Sequence, residues 1–227
     1  MPGIRFEELS ESRGGGSGYL ILVDIVCHGT PSPMLFKDQL TFLAQKEGSS
    51  VTAYEHRSKA MGWAHIERVD FADGSFQQDT RLSNSWRRLF YSNKFLRPSC
   101  YQCPFTQTRR VSDLTVADFW GIENTSVSGF KDTAGVSLVL ANTEQGKALL
   151  KKLNMEVVEA SLSEALPKNP MLYRPSTYSG SRAEAWEWYE AHGYASMMHK
   201  YRYYPTLIHF HASRCKAWLK RVLSRFI

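Results

Sequence analysis

The residues best suited to chemistry stand in one stretch, Arg97 to Ile122, which reads RPSCYQCPFTQTRRVSDLTVADFWGI. It holds two of the chain's four cysteines, spaced Cys100-x-x-Cys103 and closed by Pro104. Two thiols separated by two residues can point both sulfurs at one centre. That suits half of a tetrahedral zinc site, half of an iron–sulfur site or a redox dithiol. Pro98 and Pro104 bracket the pair and supply no N–H donor, which places it on a loop rather than a helix. A thioredoxin-like motif would instead open a helix after a strand. Two reduced loop cysteines without a ligand are the plain alternative.

The elements that must position these residues can be read around them. Leu114-Thr-Val-Ala117 is a short strand that ends in Asp118-Phe-Trp-Gly121. Tyr19 to Val26 is a nearly continuous apolar run, as expected of a strand buried on both faces, and it leads into Cys27-His28-Gly29-Thr30-Pro31. Ser32 offers an N-cap and Pro33 a first helical turn; Leu35, Phe36, Leu40 and Leu43 follow at helical spacing, and Gly48 supplies a stop. Val51 to Arg57 and Ala64 to Phe71 read as strands, with a turn at Asp73-Gly74 and a short return. Between them Arg57, Lys59, Gly62 and Trp63 offer two cations for an anionic cofactor arm, or an ordinary solvated loop.

Ser83 to Phe95 has helical spacing. Glu123 to Thr133 reads as a loop over a site, and Gly135 to Ala141 as a second buried strand. Asn142 or Thr143 caps a helix to about Leu153, with Leu149, Leu150 and Leu153 inward, and Val157-Val158 forms a short strand. A further helix spans Ala183 to Met198, with Ala183, Trp186 and Tyr189 on one face and an interruption at Gly193. If the strands are parallel neighbours, Cys27, Asp118 and Thr143 share one rim, where open α/β sheets collect their ligands. Cys27 and His28 are a poor nucleophile–base pair, because adjacent side chains on a strand point apart.

The totals bound the class. At 227 residues and 13% aromatics the chain can bury a core without disulfides, and four cysteines do not make a disulfide scaffold. The first residues carry charges and glycines where a signal peptide has an apolar core, so a reducing, cytoplasmic setting is expected. The net charge of +6 is local. After Glu190 there is no acidic residue but Lys200, Arg202, Arg214, Lys216, Lys220, Arg221 and Arg225; taking those 7 from 28 basic residues leaves 21 against 22 acidic ones. That pattern argues against a nucleic-acid partner and for a contact through the tail. His209 to Phe226 forms an amphipathic basic helix in this reading, with Cys215, Trp218, Leu219, Val222, Leu223 and Phe226 along one stripe. It could meet a membrane surface or a partner, or pack on its own domain.

Five segments come in a fixed order: Asp24 to Pro33, Arg57-x-Lys59 with Gly62-Trp63, Arg97 to Cys103, Ser112 to Ile122, and Gly135 to Thr143. Together they resemble the C-terminal domain of the beta subunit of coenzyme F420 hydrogenase/dehydrogenase, over about Tyr19 to Asn169. The resemblance implies a flavoprotein with FAD and a 4Fe-4S cluster, which passes electrons between the cluster, the flavin and a small redox substrate such as a deazaflavin coenzyme. Related members stand among bacterial surface-polysaccharide genes. It further implies Cys27, Cys100 and Cys103 as cluster ligands, and Thr30, Arg57, Lys59, Asp118, Trp120 and Gly121 as residues of the flavin site. A ferredoxin-like domain or chain would be the electron donor. Family members generally carry a Gly-Thr-Pro-Cys-like segment before the first strand; Met1 to Gly18 shows no match to it, so the chain looks N-terminally truncated. The fourth cluster ligand would then come from such an upstream segment, a partner chain, His28 or solvent, since Cys215 suits a buried apolar role.

The expected fold is α/β, with α+β as the alternative: a mixed sheet with parallel buried strands flanked by helices, plus a helical C-terminal tail. Residues 1–18 read as a disordered or linker-like remnant, 19–175 as the flavin/iron–sulfur domain and 176–227 as a helical basic extension. Two function classes fit. One is an iron–sulfur flavoprotein oxidoreductase, cytoplasmic and peripheral to the membrane if the tail makes that contact. The other is a non-catalytic remnant or interaction module with a zinc-bound or empty cysteine site.

Overall fold

The computed structural model describes residues 20–223, with the side chains of 217, 218 and 220–223 left aside. The expected N-terminal remnant and the stripe positions Trp218, Val222, Leu223 and Phe226 lie outside that description. The fold is mixed α/β, and the chain divides into two compact units. One joins the residues up to His28 with Gln102–Pro175; the other joins Gly29–Tyr101 with the residues from Ser176 on.

The first unit is built on a three-stranded sheet of β1 (Val23–Ile25), β5 (Leu114–Asp118) and β6 (Ser137–Ala141), in the order β1-β5-β6. β1 runs parallel to β5 in the register Val23↔Leu114 to Ile25↔Val116. β6 runs antiparallel to it, from Leu114↔Ala141 to Asp118↔Ser137. This overturns the expected common rim. Cys27 and Asp118 follow the same end of the parallel pair, whereas Thr143 stands at the opposite end. The reason is the connection between β5 and β6. It holds a 3-10 turn at Ile122–Asn124 and a run of turns, in place of the crossover helix that a parallel return needs. β1 also differs from the expectation of burial on both faces: it is an edge strand with Val23 55% and Ile25 61% exposed. Helix α3 (Glu144–Lys152) starts where expected, with Thr143 as its N-cap accepting the Gly146 N–H at 3.1 Å. Leu153 is exposed, and Val157 and Val158 are exposed and outside any strand.

One buried carboxylate ties this unit together. Asp113 is fully buried. Its Oδ2 accepts the Leu22 N–H at 2.9 Å and its Oδ1 accepts the Thr143 hydroxyl at 2.6 Å. Its own N–H donates to the Leu22 carbonyl and its carbonyl accepts the Asn142 N–H. Gly146 completes the joint, because a Cβ there would collide with the Asp113 carbonyl. Next to it the Asn142 side-chain amide donates to Thr115 Oγ1 at 2.9 Å and Ser112 Oγ at 3.2 Å. Helix α4 (Leu162–Ala165) opens with a capping box of Ser161 and Glu164. Glu164 also accepts the Ser126 N–H at 2.6 Å, so the loop after β5 is tied down. Hydrogen bonds from the Ser126 N–H and from Ser161 hold the Glu164 carboxyl down at about 2.

The second unit holds an antiparallel sheet of β2 (Val51–Glu55), β3 (Arg68–Phe71) and β4 (Phe76–Gln78), with the expected turn at Asp73 and Gly74 (φ 84°). Helices α1 (Pro33–Glu47), α2 (Ser85–Tyr91), α5 (Arg182–Lys200) and α6 (Leu207–Leu223) accompany it. Ser32 precedes α1 in extended backbone without a side-chain cap bond, and Gly48 ends it at φ 79°. Leu35, Phe42, Val69, Leu89, Tyr194 and Met197 belong to one buried cluster. Gln39 lies in it fully buried, donating to Ser85 and accepting from the Tyr194 hydroxyl, both at 2.8 Å. α5 breaks at Gly193 (φ 76°, ψ 173°), as its sequence predicts. Of the residues expected on its inner face, Trp186 and Tyr189 pack against that cluster and Ala183 is exposed, Ala185 being the buried alanine. Cys215 on α6 is exposed, against the expected buried stripe.

Asp113→Ala strands the part-buried Leu22 N–H and the Thr143 hydroxyl. Urea unfolding should show a loss of about 3 kcal/mol, since hydrogen bonds to charged groups contribute about 1.5–3 kcal/mol each. Asp113→Asn, which keeps one acceptor, should lose less.

Candidate functional site

The cysteine turn is assembled from two short segments, the one that follows Gly29 and the one that follows Leu96. Gly29 has φ 151°, and a Cβ on it would lie 2.8 Å from Leu96 Cδ1 and 3.4 Å from the Cys100 Cβ. A bare glycine is what lets the segment come this close. Beyond it the Thr30 N–H donates to Cys100 Sγ at 3.3 Å, and the Thr30 carbonyl accepts the Arg97 N–H at 2.8 Å. Pro31 bridges to Leu96. Cys100 lies on a 3-10 turn, Pro98–Gln102, closed by its own N–H to the Arg97 carbonyl. Cys103 follows directly, and its carbonyl accepts the Thr106 hydroxyl at 2.8 Å. The loop placement read from the two prolines is thus a 3-10 turn. Cys100 and Cys103 are half-buried, Cys27 is exposed, and all are reduced thiols. Among the described residues, no group of three or more His, Cys, Asp or Glu side chains is placed to hold a metal ion.

Pro31 and Ser32 also line a cavity of about 350 Å³ in the second unit. Its walls are Phe36, Trp86, Phe90 and Tyr91, and its polar groups include His56, Arg57, His65 and Glu67. Phe36 packs edge-on against Trp86 with ring centroids 5.0 Å apart. The Glu67 residue is only 2% exposed. It accepts the Arg87 N–H at 3.0 Å, and His56 Nδ1 lies 3.8 Å from its other oxygen. Burial pushes its carboxyl above the usual range, while hydrogen bonding to His56 and Arg87 opposes the rise. Of the two cations read from the sequence, Arg57 lines this cavity. Lys59 is exposed on the following turn, where its carbonyl accepts the Gly62 N–H at 2.9 Å.

The Asp118-Phe-Trp-Gly turn belongs to the first unit. Asp118 closes β5 beside Ser137, at the strand end that Cys27 follows on β1. Phe119 is buried, donating its N–H to the Val136 carbonyl, and Trp120 is half-buried. Gly121 has φ 88°, and a Cβ there would lie 2.5 Å from Lys168 Cγ. The buried Asn169 donates from its side-chain amide to the Trp120 carbonyl at 3.2 Å and to the Ala165 carbonyl at 2.8 Å. Lys168 and Asn169 therefore shape this turn, and neither stood out in a proline-rich stretch without periodicity. Glu67 was also missed, although a signal exists. It is in phase with Val69 and Phe71, the buried positions of β3, where a charge has no reason to be unless it has partners.

These elements define an α/β chain that carries a cysteine turn next to an aromatic cavity and a separate strand-end turn. The family described as the C terminus of the Coenzyme F420 hydrogenase/dehydrogenase beta chain matches residues 7–164, and the protein belongs to it. The match begins at residue 7, so it includes residues that the motifs alone had left outside the family. It places the chain among oxidoreductase subunits. No curated protein and no solved structure matches it.

Two outcomes follow from this geometry. Because burial raises the folded-state pKa of Glu67, its proton is retained longer in the folded chain. The stability that this brings is present at low pH and is lost as pH rises from about 4.5, the ordinary value, through the folded pKa. Unfolding of wild type against Glu67→Gln at a series of pH values should show wild type losing stability relative to the variant across that window. At the other turn, Gly121→Ala should cost about 1–2 kcal/mol for the left-handed backbone alone. Lys168→Ala should recover only the part that is steric, as read from a double-mutant cycle.

Proposed function

We propose that the chain is an iron–sulfur flavoprotein domain that passes electrons between a 4Fe-4S cluster, FAD and a small redox substrate. The observation that carries this reading is the continuity of Thr30 and Pro31. The first donates its N–H to the Cys100 sulfur and the second lines the aromatic cavity, so the donor to a candidate sulfur ligand and the wall of a ring-sized cleft are joined by one peptide bond.

The donor set fits the groups in kind. Thiolates are the usual ligands of such clusters, and hydrogen bonds to sulfur tune their potentials. Cys27, Cys100 and Cys103 would be the ligands, with the Thr30 N–H supporting Cys100. A cavity of about 350 Å³ with aromatic walls is within the range that holds a planar ring system. Thr30, Arg57 and Lys59, together with Asp118, Trp120 and Gly121, would contact the flavin. When bound, the flavin supplies the exchange between two-electron and one-electron transfer. Glu67, with His56 beside it in the same cavity, would hold the proton that accompanies the charge. The substrate is a small redox molecule, a deazaflavin coenzyme or another of that size, and a ferredoxin-like domain or chain is the electron donor.

The other reading is an interaction module with a zinc-bound or empty cysteine site. One observation favours its empty form: among the described residues, no three metal-ligating side chains converge, which counts against zinc as it does against a cluster.

Anaerobic purification with iron, zinc and flavin analysis separates the two. The proposal expects iron and flavin absorbance, with Cys27→Ser, Cys100→Ser or Cys103→Ser each losing most of the iron and Cys215→Ser keeping it. Trp86→Ala should lower flavin content several-fold with iron retained. A colourless or zinc-loaded chain, or iron held equally by all four serine variants, overturns it.

A further inference from the structure

The C-terminal helix, α6, has one committed side. Phe210 is 8% exposed, with the Arg88 guanidinium 5.4 Å from its ring. One turn later Arg214 donates to the Asp79 carboxylate at 2.8 Å and stands 5.6 Å from the same ring. At about 100° per residue, Ile208, Cys215 and Leu219 fall on a different side. There Ile208 is 81% and Leu219 50% exposed, and Cys215 is exposed as well. A single exposed leucine means little, but a stripe along one helix means more.

Along the sequence, the charge of this segment has one sign. No Asp or Glu occurs after Glu190, while seven Lys and Arg residues do, Lys216 among them and exposed. Among the described residues, no helix is long and apolar enough to cross a membrane. A helix with an apolar stripe and a basic remainder instead suits the boundary between acyl chains and headgroups. We propose that α6 lies on an anionic bilayer surface, with Ile208 and Leu219 inserted and the basic residues at the headgroups. An anionic bilayer offers both things this face lacks, a cover for the apolar stripe and a negative counterpart for the cations. An acidic protein surface would answer the charge and leave the stripe in water.

The test is co-sedimentation of the full chain with vesicles of phosphatidylcholine alone and of phosphatidylcholine with about one quarter phosphatidylglycerol. Binding should be at least tenfold tighter to the anionic vesicles and should weaken at high salt. Ile208→Glu with Leu219→Glu should reduce it about tenfold or more, with an unchanged circular dichroism spectrum. Ile208→Lys separates insertion from simple attraction, because it adds a positive charge while removing an apolar side chain. Weaker binding supports insertion, and binding as tight as wild type overturns it. No vesicle binding, equal binding to neutral vesicles, or capture by polyglutamate alone also overturns the proposal, the last in favour of an acidic protein.

Discussion

The first unit depends on a carboxylate that cannot stand in its core alone. Burying an ionisable group is costly unless donors meet it, and the donors that meet Asp113 come from the segment entering β1 and from the start of α3. Satisfying one side chain therefore fixes the register of a parallel strand, the return of β6 and the angle at which a helix leaves. Gly146 belongs to the same constraint, since no side chain fits between the helix and the Asp113 carbonyl. The result is a division of labour along the sheet. Polar groups that hold it gather at one end, and Cys27, Asp118 and Gly121 stand at the other.

That division changes how the motifs are understood. Ser112, Asp113, Thr115, Asn142 and Thr143 all occur in segments that mark the family resemblance, and the structure uses them to hold the sheet. The Asp118-Phe-Trp-Gly segment lies on the same strand a few residues later, yet it forms a turn kept in shape from behind by Lys168 and Asn169. A motif can thus be distinctive because it builds the scaffold. In the second unit the same rule governs Gln39, whose amide is matched at both ends within the core. Glu67 departs from it. Its partners, the Arg87 N–H and His56, do not remove the penalty of burial, and its carboxyl stays above the usual range.

Local signals were legible in the sequence, and directions were not. The Thr143 cap, the stop at Gly48, the Asp73-Gly74 turn and the break at Gly193 each follow from one residue's own backbone or side-chain chemistry. The direction of β6 depends on how the chain returns over a long connection, and no residue in that connection announces it. β1 illustrates a related difficulty. An apolar run looks the same whether both faces are buried or one stays open, so its edge position could not be read from composition. Around the cysteines, spacing indicated that Cys100 and Cys103 belong together. The meeting of Thr30 with Cys100 joins positions 70 residues apart and needed the fold.

The hydrogen bond to Cys100 comes from the main chain. A side-chain donor can be lost by a single base change; a peptide N–H persists whatever residue occupies position 30, proline excepted. The setting of this sulfur is therefore inherited with the path of the backbone. Residue 30 can drift through many identities without altering it, whereas Gly29 has almost no tolerated neighbours in sequence space. Across the chain's lineage, selection on the sulfur should be recorded at the residue beside the donor and not at the donor itself.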